Sequence, residues 1–211
     1  MLGDVLLITE AHERAARAVV ERLPRPLPDR LVVAIGGESG SGKSELGHLC
    51  SRYLKECDLR AKVLHTDNYY RVPPADRTAH RQAVGFESIG LAEYDWPLLE
   101  RHLDDFRQGR KSHMPCVDIL TDQVDTLQTD FADIRVLLLE GLYAVNAAAD
   151  VRVFIDLTYH QTKKAQVLRG KERVDEFRRG VLEAEHRAVQ TLRSLADLLV
   201  TDTYDVQDAR G

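Results

Sequence analysis

The sequence predicts an α/β fold, a three-layer sandwich with a mainly parallel central sheet. Three observations support this. Leu31–Ile35, Val136–Leu139 and Val151–Ile155 are apolar throughout rather than alternating, as strands buried on both faces are. Helical patterns lie between these runs. A glycine-rich turn over 36–42 joins the first run to a helix. Fully apolar strands alternating with helices imply a sheet covered on both sides.

In chain order, residues 1–23 read as a helical leader, with Ala15, Ala16, Val19 and Leu23 interleaved with Glu13, Arg14, Arg17 and Glu21. Pro24, Pro26 and Pro28 then end it, because proline supplies no N–H to a helix interior. An N-terminal helical extension over 1–30 is expected to precede a single domain over 31–211. The spacing leaves open whether the leader packs on its own sheet or on a neighbouring subunit of a homo-oligomer. Strand 31–35, helix 45–56 and strand 61–65 form one right-handed βαβ unit. Helical patterns follow at about 91–108, 158–169 and 175–194, with a weaker strand at 198–200.

The composition restricts the function. The 211 residues hold 29 Lys and Arg against 34 Asp and Glu, a net charge of −5, so no nucleic-acid partner is expected across the surface. Val5–Ile8 is far too short to span a bilayer, so no membrane partner is expected. Cys50, Cys57 and Cys116 form no CxxC or zinc pattern and read as reduced thiols of a cytoplasmic protein.

The chemistry lies in Gly37, Glu38, Ser39, Gly40, Ser41, Gly42, Lys43 and Ser44, which match G-x-x-x-x-G-K-[ST] between a strand and a helix. Glycines let successive backbone N–H groups turn inward on phosphate oxygens, and the helix start adds partial positive charge. Lys43 is expected to reach the β- and γ-phosphates of ATP, and the Ser44 hydroxyl to ligate Mg²⁺. Glu140 ends an apolar strand and suits the second metal position. Asp67 follows the second strand. If that strand neighbours the first, Asp67 stands beside the γ-phosphate as base for a hydroxyl acceptor. Between Lys163 and Arg179, seven basic residues face three acidic ones, which reads as a basic helical lid.

Together these residues resemble the uridine kinase and phosphoribulokinase family of P-loop kinases. The resemblance rests on the loop at 36–44, Asp67–Tyr70, the helix start Tyr94-Asp95-Trp96 with Leu98 and Leu99, and Leu139-Glu140-Gly141-Leu142-Tyr143. It covers roughly 31–202 and implies a P-loop NTPase sandwich. It also implies transfer of the γ-phosphoryl group of ATP to a small-molecule hydroxyl with Mg²⁺. It makes Asp67 the base near the metal and matches Lys43, Ser44 and Glu140 to the family's loop and strand-end residues. Arg169 and Arg173 correspond to its lid arginines.

On the acceptor side the chain departs from the uridine kinase pattern. The segment before Tyr94 reads Glu87-Ser88-Ile89-Gly90-Leu91-Ala92-Glu93, and Val117 and Asp122 stand where the family has a tyrosine and a histidine. Tyr69, Arg71, Glu87 and Asp118 are the replacement substrate contacts. Arg71, Arg77 and Arg81 either receive an anionic acceptor, such as pantothenate, glycerate or a sugar phosphate, or form a solvated face. Two readings compete with a kinase: a nucleotide-binding switch, which lacks an Asn-Lys-x-Asp string here, and a degenerate kinase kept as a scaffold.

Overall fold

The computed structural model describes residues 5–162 and 175–209. Helix α1 (Glu10–Glu21) leads into β1 (Leu31–Gly37), α2 (Lys43–Glu56) and β2 (Ala61–His65). Then come α3 (Pro74–Val84), α4 (Trp96–Arg107), β3 (Lys111–Asp118), β4 (Gln123–Asp130), β5 (Val136–Glu140) and β6 (Val151–Ile155). Helix α5 (Glu176–Gln190), β7 (Leu198–Val200) and β8 (Val206–Asp208) close the chain.

Six strands form one sheet in the order β2-β5-β1-β6-β7-β8, parallel except for β8, which pairs antiparallel with β7. The expected α/β sandwich with a mainly parallel sheet is the observed fold. Along each central strand, side chains alternate between two buried faces. Leu31, Val33 and Ile35 with Val136, Leu138 and Val153 pack against α1 and α2. Val32, Ala34, Leu137, Leu139 and Phe154 pack against Leu99, Leu103 and Phe106 of α4 and Val189 of α5. Each such large apolar side chain contributes roughly 1.5–3 kcal/mol by leaving water.

The leader helix is shorter than expected: residues 5–8 are not helical, and α1 begins where the Thr9 side chain accepts from the His12 N–H. Its Ala15, Ala16 and Val19, all at most 1% exposed, pack it on α2 of the same chain. Small side chains permit that close approach. Residues 91–108 divide into a 3₁₀ turn at Leu91–Glu93 and α4, which Asp95 caps by accepting from Leu98 N. Residues 158–162 form a turn, not the start of a helix: Thr158 N–H bonds locally to the Gln161 side chain, and Tyr159 N–H to the distant Glu38 carboxylate. Helix α3, the β3–β4 hairpin and β8 were not anticipated. Helix α3 starts with Pro74 at a first-turn position, and the β3–β4 hairpin turns at Asp122, whose φ is +56°.

The condition set for Asp67, that its strand neighbour the first, is not met. Strand β2 does not neighbour β1, because β5 lies between them. Asp67, which follows β2, is therefore separated from the β1 end that carries the phosphate loop by the end of β5.

Candidate active site

Parallel strands point all their carboxyl ends to one edge, where open α/β sheets bind ligands. Register aligns Ile35, Glu140 and His65 side by side on β1, β5 and β2. The chain beyond those three positions supplies the phosphate loop, Gly141 and Asp67. At Gly141 φ is +156°, and a Cβ there would lie 1.7 Å from Thr66 Oγ1. Only glycine lets the β5 exit pass so close to the β2 exit.

The phosphate loop closes onto α2 through Gly42, with φ +88° and the Leu46 amide donating to its carbonyl at 2.9 Å. A Cβ on Gly42 would meet His12 Nε2 at 2.6 Å and the Tyr204 hydroxyl at 2.8 Å. Tyr204 in turn donates to the Ser41 carbonyl at 3.1 Å and bonds His12 Nε2 at 3.1 Å. The amino- and carboxyl-terminal segments thus buttress the loop from outside. Lys43 Nζ donates to the Glu38 carbonyl at 2.7 Å, so its ammonium arches over the loop.

Ser44 Oγ donates to Glu140 Oε1 at 3.2 Å, bringing together two of the three residues expected at Mg²⁺, the third being Asp67 in the turn after β2. Both are hard oxygen donors. Magnesium commonly takes only one or two protein oxygens and completes its shell with water and phosphate, so this pair fits the ion. No cluster of three or more His, Cys, Asp or Glu suited to a metal occurs among the described residues. Glu140 is 5% exposed, and burial alone would raise its pKa. The close hydrogen bond from His65 Nδ1, the charge of that imidazole and that of Lys43 outweigh burial and hold the carboxyl below its ordinary 4.5. His65 is a site neighbour that sequence reasoning missed. Its position opposite Glu140 depends on the β2–β5 pairing.

Asp67 lies in the 3₁₀ turn Thr66–Tyr69 directly after β2. The Tyr94 hydroxyl donates to Asp67 Oδ1 at 3.2 Å. Burial, with Tyr70 and Asp67 nearby, raises the Tyr94 phenol, which stays a neutral donor. Tyr70 and Tyr143 pack on Tyr94 with ring centroids 4.1 and 5.4 Å away. The buried Tyr143 hydroxyl has no hydrogen-bond partner among the described residues.

The substrate contacts chosen from sequence fare unevenly. Tyr69 is 1% exposed and its hydroxyl bonds His102 Nδ1 at 2.8 Å, so it is a core residue and not a substrate contact. Its neighbour Tyr70 faces the pocket instead, because the 3₁₀ turn ends at Tyr69. Arg71, with its Nε donating to the Tyr94 carbonyl at 3.1 Å, lines a pocket of about 170 Å³ with Tyr70, Arg77, His80 and Glu93. Glu87 is exposed on the 86–88 turn. Asp118 accepts from Leu120 N at 2.9 Å and so caps the hairpin turn.

Neither reading of the three arginines holds for Arg81. It is 7% exposed, bidentate to Glu93 at 2.7 and 2.9 Å, and 3.3 Å from Glu185. Burial alone would lower its pKa, but these carboxylates more than offset that and keep it charged. Burial raises the Glu185 carboxyl above its usual range despite Arg178 and Arg81. Arg77 lies 3.5 Å from the Tyr70 ring centroid. Lys163, Lys164, Arg169, Lys171 and Arg173 lie outside the described residues; of the basic run only Arg178 and Arg179 lie within them.

Comparison with known proteins agrees with this arrangement. The chain is 25% identical over 182 residues to the uridine kinase of Mycoplasma pneumoniae, covering 81% of this chain and 84% of that one. It is 27% identical over 190 residues to a bifunctional alpha-galactosidase/sucrose kinase of Mediterraneibacter gnavus, covering 82% of this chain but 20% of the longer protein. Phosphoribulokinase from Rhodobacter spheroides shares the fold with a TM-score of 0.65 at 17% identity, over 84% of this chain and 73% of that one. The phosphoribulokinase/uridine kinase family model matches residues 32–170, about two thirds of the sequence and a span that includes the phosphate loop, Asp67 and Glu140. The chain belongs to the phosphoribulokinase/uridine kinase family of P-loop kinases.

Proposed function

We propose that the protein is a Mg·ATP-dependent kinase that phosphorylates a hydroxyl of an uncharged polyhydroxy acceptor, a nucleoside or a sugar. The observation that carries the kinase reading is the convergence at one sheet edge of Lys43, the Ser44–Glu140 pair and Asp67. Ser44 and Glu140 would hold the metal, which neutralises charge on the phosphates when bound. Lys43, released from the Glu38 carbonyl, turns its ammonium to the terminal phosphates.

Asp67 takes the proton of the acceptor hydroxyl as that oxygen bonds to the γ-phosphorus and the phosphorus–oxygen bond to ADP breaks. Tyr94 holds the carboxylate in place by bonding Oδ1. Catalysis here is mostly alignment and charge stabilisation, since the phosphoryl group needs little covalent help.

The charge balance beside Asp67 favours an uncharged acceptor. Glu93 and Glu185 neutralise Arg81, and Arg77 is occupied by the Tyr70 ring. The acceptor hydroxyl would meet Asp67, whose Oδ1 is held by the buried Tyr94 hydroxyl. Uridine and sucrose, the acceptors in two relatives' names, are uncharged polyols. A second reading, an anionic acceptor, draws on Arg71, Arg77 and His80 in the 170 Å³ pocket.

A coupled ADP assay over uridine, cytidine, fructose, sucrose, pantothenate, glycerate and ribulose 5-phosphate separates the two. Turnover with an uncharged member supports the first reading, and turnover with anionic members alone replaces it by the second. Asp67→Asn is expected to lower kcat by about 10²–10⁴-fold with ATP binding retained. A wild-type rate removes Asp67 from the mechanism.

A further inference from the structure

Glu38 places a carboxylate inside a loop whose backbone amides face anionic phosphates, and it is 2% exposed. Its side chain turns away from the loop. Oε2 accepts from the Tyr159 backbone N–H at 2.7 Å, in the turn after β6. Oε1 accepts from Gln190 Nε2 at 2.5 Å and bonds His186 Nδ1 at 2.7 Å, both on α5. One residue on, the Ser39 carbonyl accepts from Thr162 Oγ1 at 2.9 Å. All four partners lie more than a hundred residues away in sequence, and all four lie on the two segments that flank residues 163–174.

Burying a carboxylate is costly, and a well-packed apolar side chain often serves stability as well or better. What charge-assisted bonds add is directional geometry. The small cavity beside Glu38 is lined by Leu142, Leu182 and Val189 together with Tyr159, Glu185 and His186. The carboxylate fixes the distance between the phosphate loop, the 159–162 turn and α5.

We infer that Glu38 is a positioning residue that makes the phosphate loop, the 159–162 turn and helix α5 move as one unit, so that occupancy of the loop is transmitted to α5. The inference rests on the proposal that the loop binds nucleotide. Arg178 and Glu185, which border the acceptor side, sit on the same helix and would be set by the same tie.

Amide hydrogen exchange on wild type, Glu38→Ala and Glu38→Gln, with and without Mg²⁺ and a non-hydrolysable ATP analogue, tests this. Without nucleotide, Glu38→Ala is expected to speed exchange at 159–162 and 182–190 about tenfold, and Glu38→Gln, which keeps one carbonyl acceptor, by less. With the analogue, wild type gains protection at 37–44, 159–162 and 182–190, whereas Glu38→Ala gains it at 37–44 alone. Equal protection of all three segments in Glu38→Ala overturns the inference. Absence of protection at 37–44 in wild type defeats the nucleotide reading itself, and the coupling with it. Should Glu38→Ala fail to fold, Gln190→Leu removes one donor while Glu38 stays, and the same loss at 182–190 is expected. In steady state, Glu38→Gln is expected to raise KM for ATP about tenfold with kcat within about threefold. A purely structural defect would lower kcat with the fraction of folded enzyme and leave KM unchanged.

Discussion

The phosphate-loop side and the acceptor side of this cleft are built by opposite means. On the phosphate side nine consecutive residues, 36–44, do the work through backbone amides, and glycines at Gly37, Gly40 and Gly42 adopt positive φ. On the acceptor side the determinants are side chains drawn from distant segments: Tyr70 paired with Tyr94, Arg81 with Glu93 and Glu185, and Asn68 accepting from the Val117 amide. Backbone recognition leaves a short signature, because it needs particular residues at fixed spacing. Side-chain recognition across the fold leaves none, and the acceptor can change while the loop does not.

The largest expected effect tests whether the acceptor side depends on its long-range ion pairs. Arg81→Met leaves Glu93 without its bidentate cation and Glu185 with Arg178 alone, and should cost about 3–5 kcal/mol in denaturant unfolding. A loss below about 1 kcal/mol would show that the region is held by packing alone. Next comes the backbone of the phosphate side. Gly141→Ala, forced onto Thr66 at φ +156°, should cost about 3 kcal/mol. Gly47→Ala, where a Cβ finds neighbours no nearer than 3.8 Å within α2, should instead gain up to about 1 kcal/mol.

A smaller effect concerns pH. Because the native Glu140 pKa is depressed, the unfolded chain takes up this proton first as acid is added. The stabilisation is complete above the ordinary 4.5 and is lost as pH falls below it. Glu140→Gln should flatten that part of the stability profile, as followed by urea unfolding at a series of pH values. The smallest effect is expected of Arg77→Ala, which removes one cation–π contact. It should cost about 0.5–1 kcal/mol while shifting KM for acceptor rather than for ATP. A shift in KM for ATP alone would blur the division between the two sides.

Much of the sheet was legible because its strands are continuously apolar, from Leu31 in β1 to Ile155 in β6. The β3–β4 hairpin escaped notice because β4 is almost wholly exposed and its sequence is polar. Tyr69 and Tyr70 could not be told apart from sequence, since a single 3₁₀ turn sends one hydroxyl to His102 and leaves the other ring facing Arg77. Glu38 stood within the recognised motif, but only its place in the loop was readable; its bonds to Tyr159, His186 and Gln190 were not.

By itself the sequence determined the phosphate loop, the buried strands, the acidic residue that ends one of them and the one just beyond another, because each of these is a local pattern imposed by backbone geometry or by burial. The tertiary structure alone decided that β5 separates β2 from β1, that His65 lies against Glu140, and that Arg81 is neutralised by Glu93 and Glu185. These depend on which segments meet across the sheet edge, and contacts between residues far apart in the chain are set by the packing of the whole and not by any spacing within one segment.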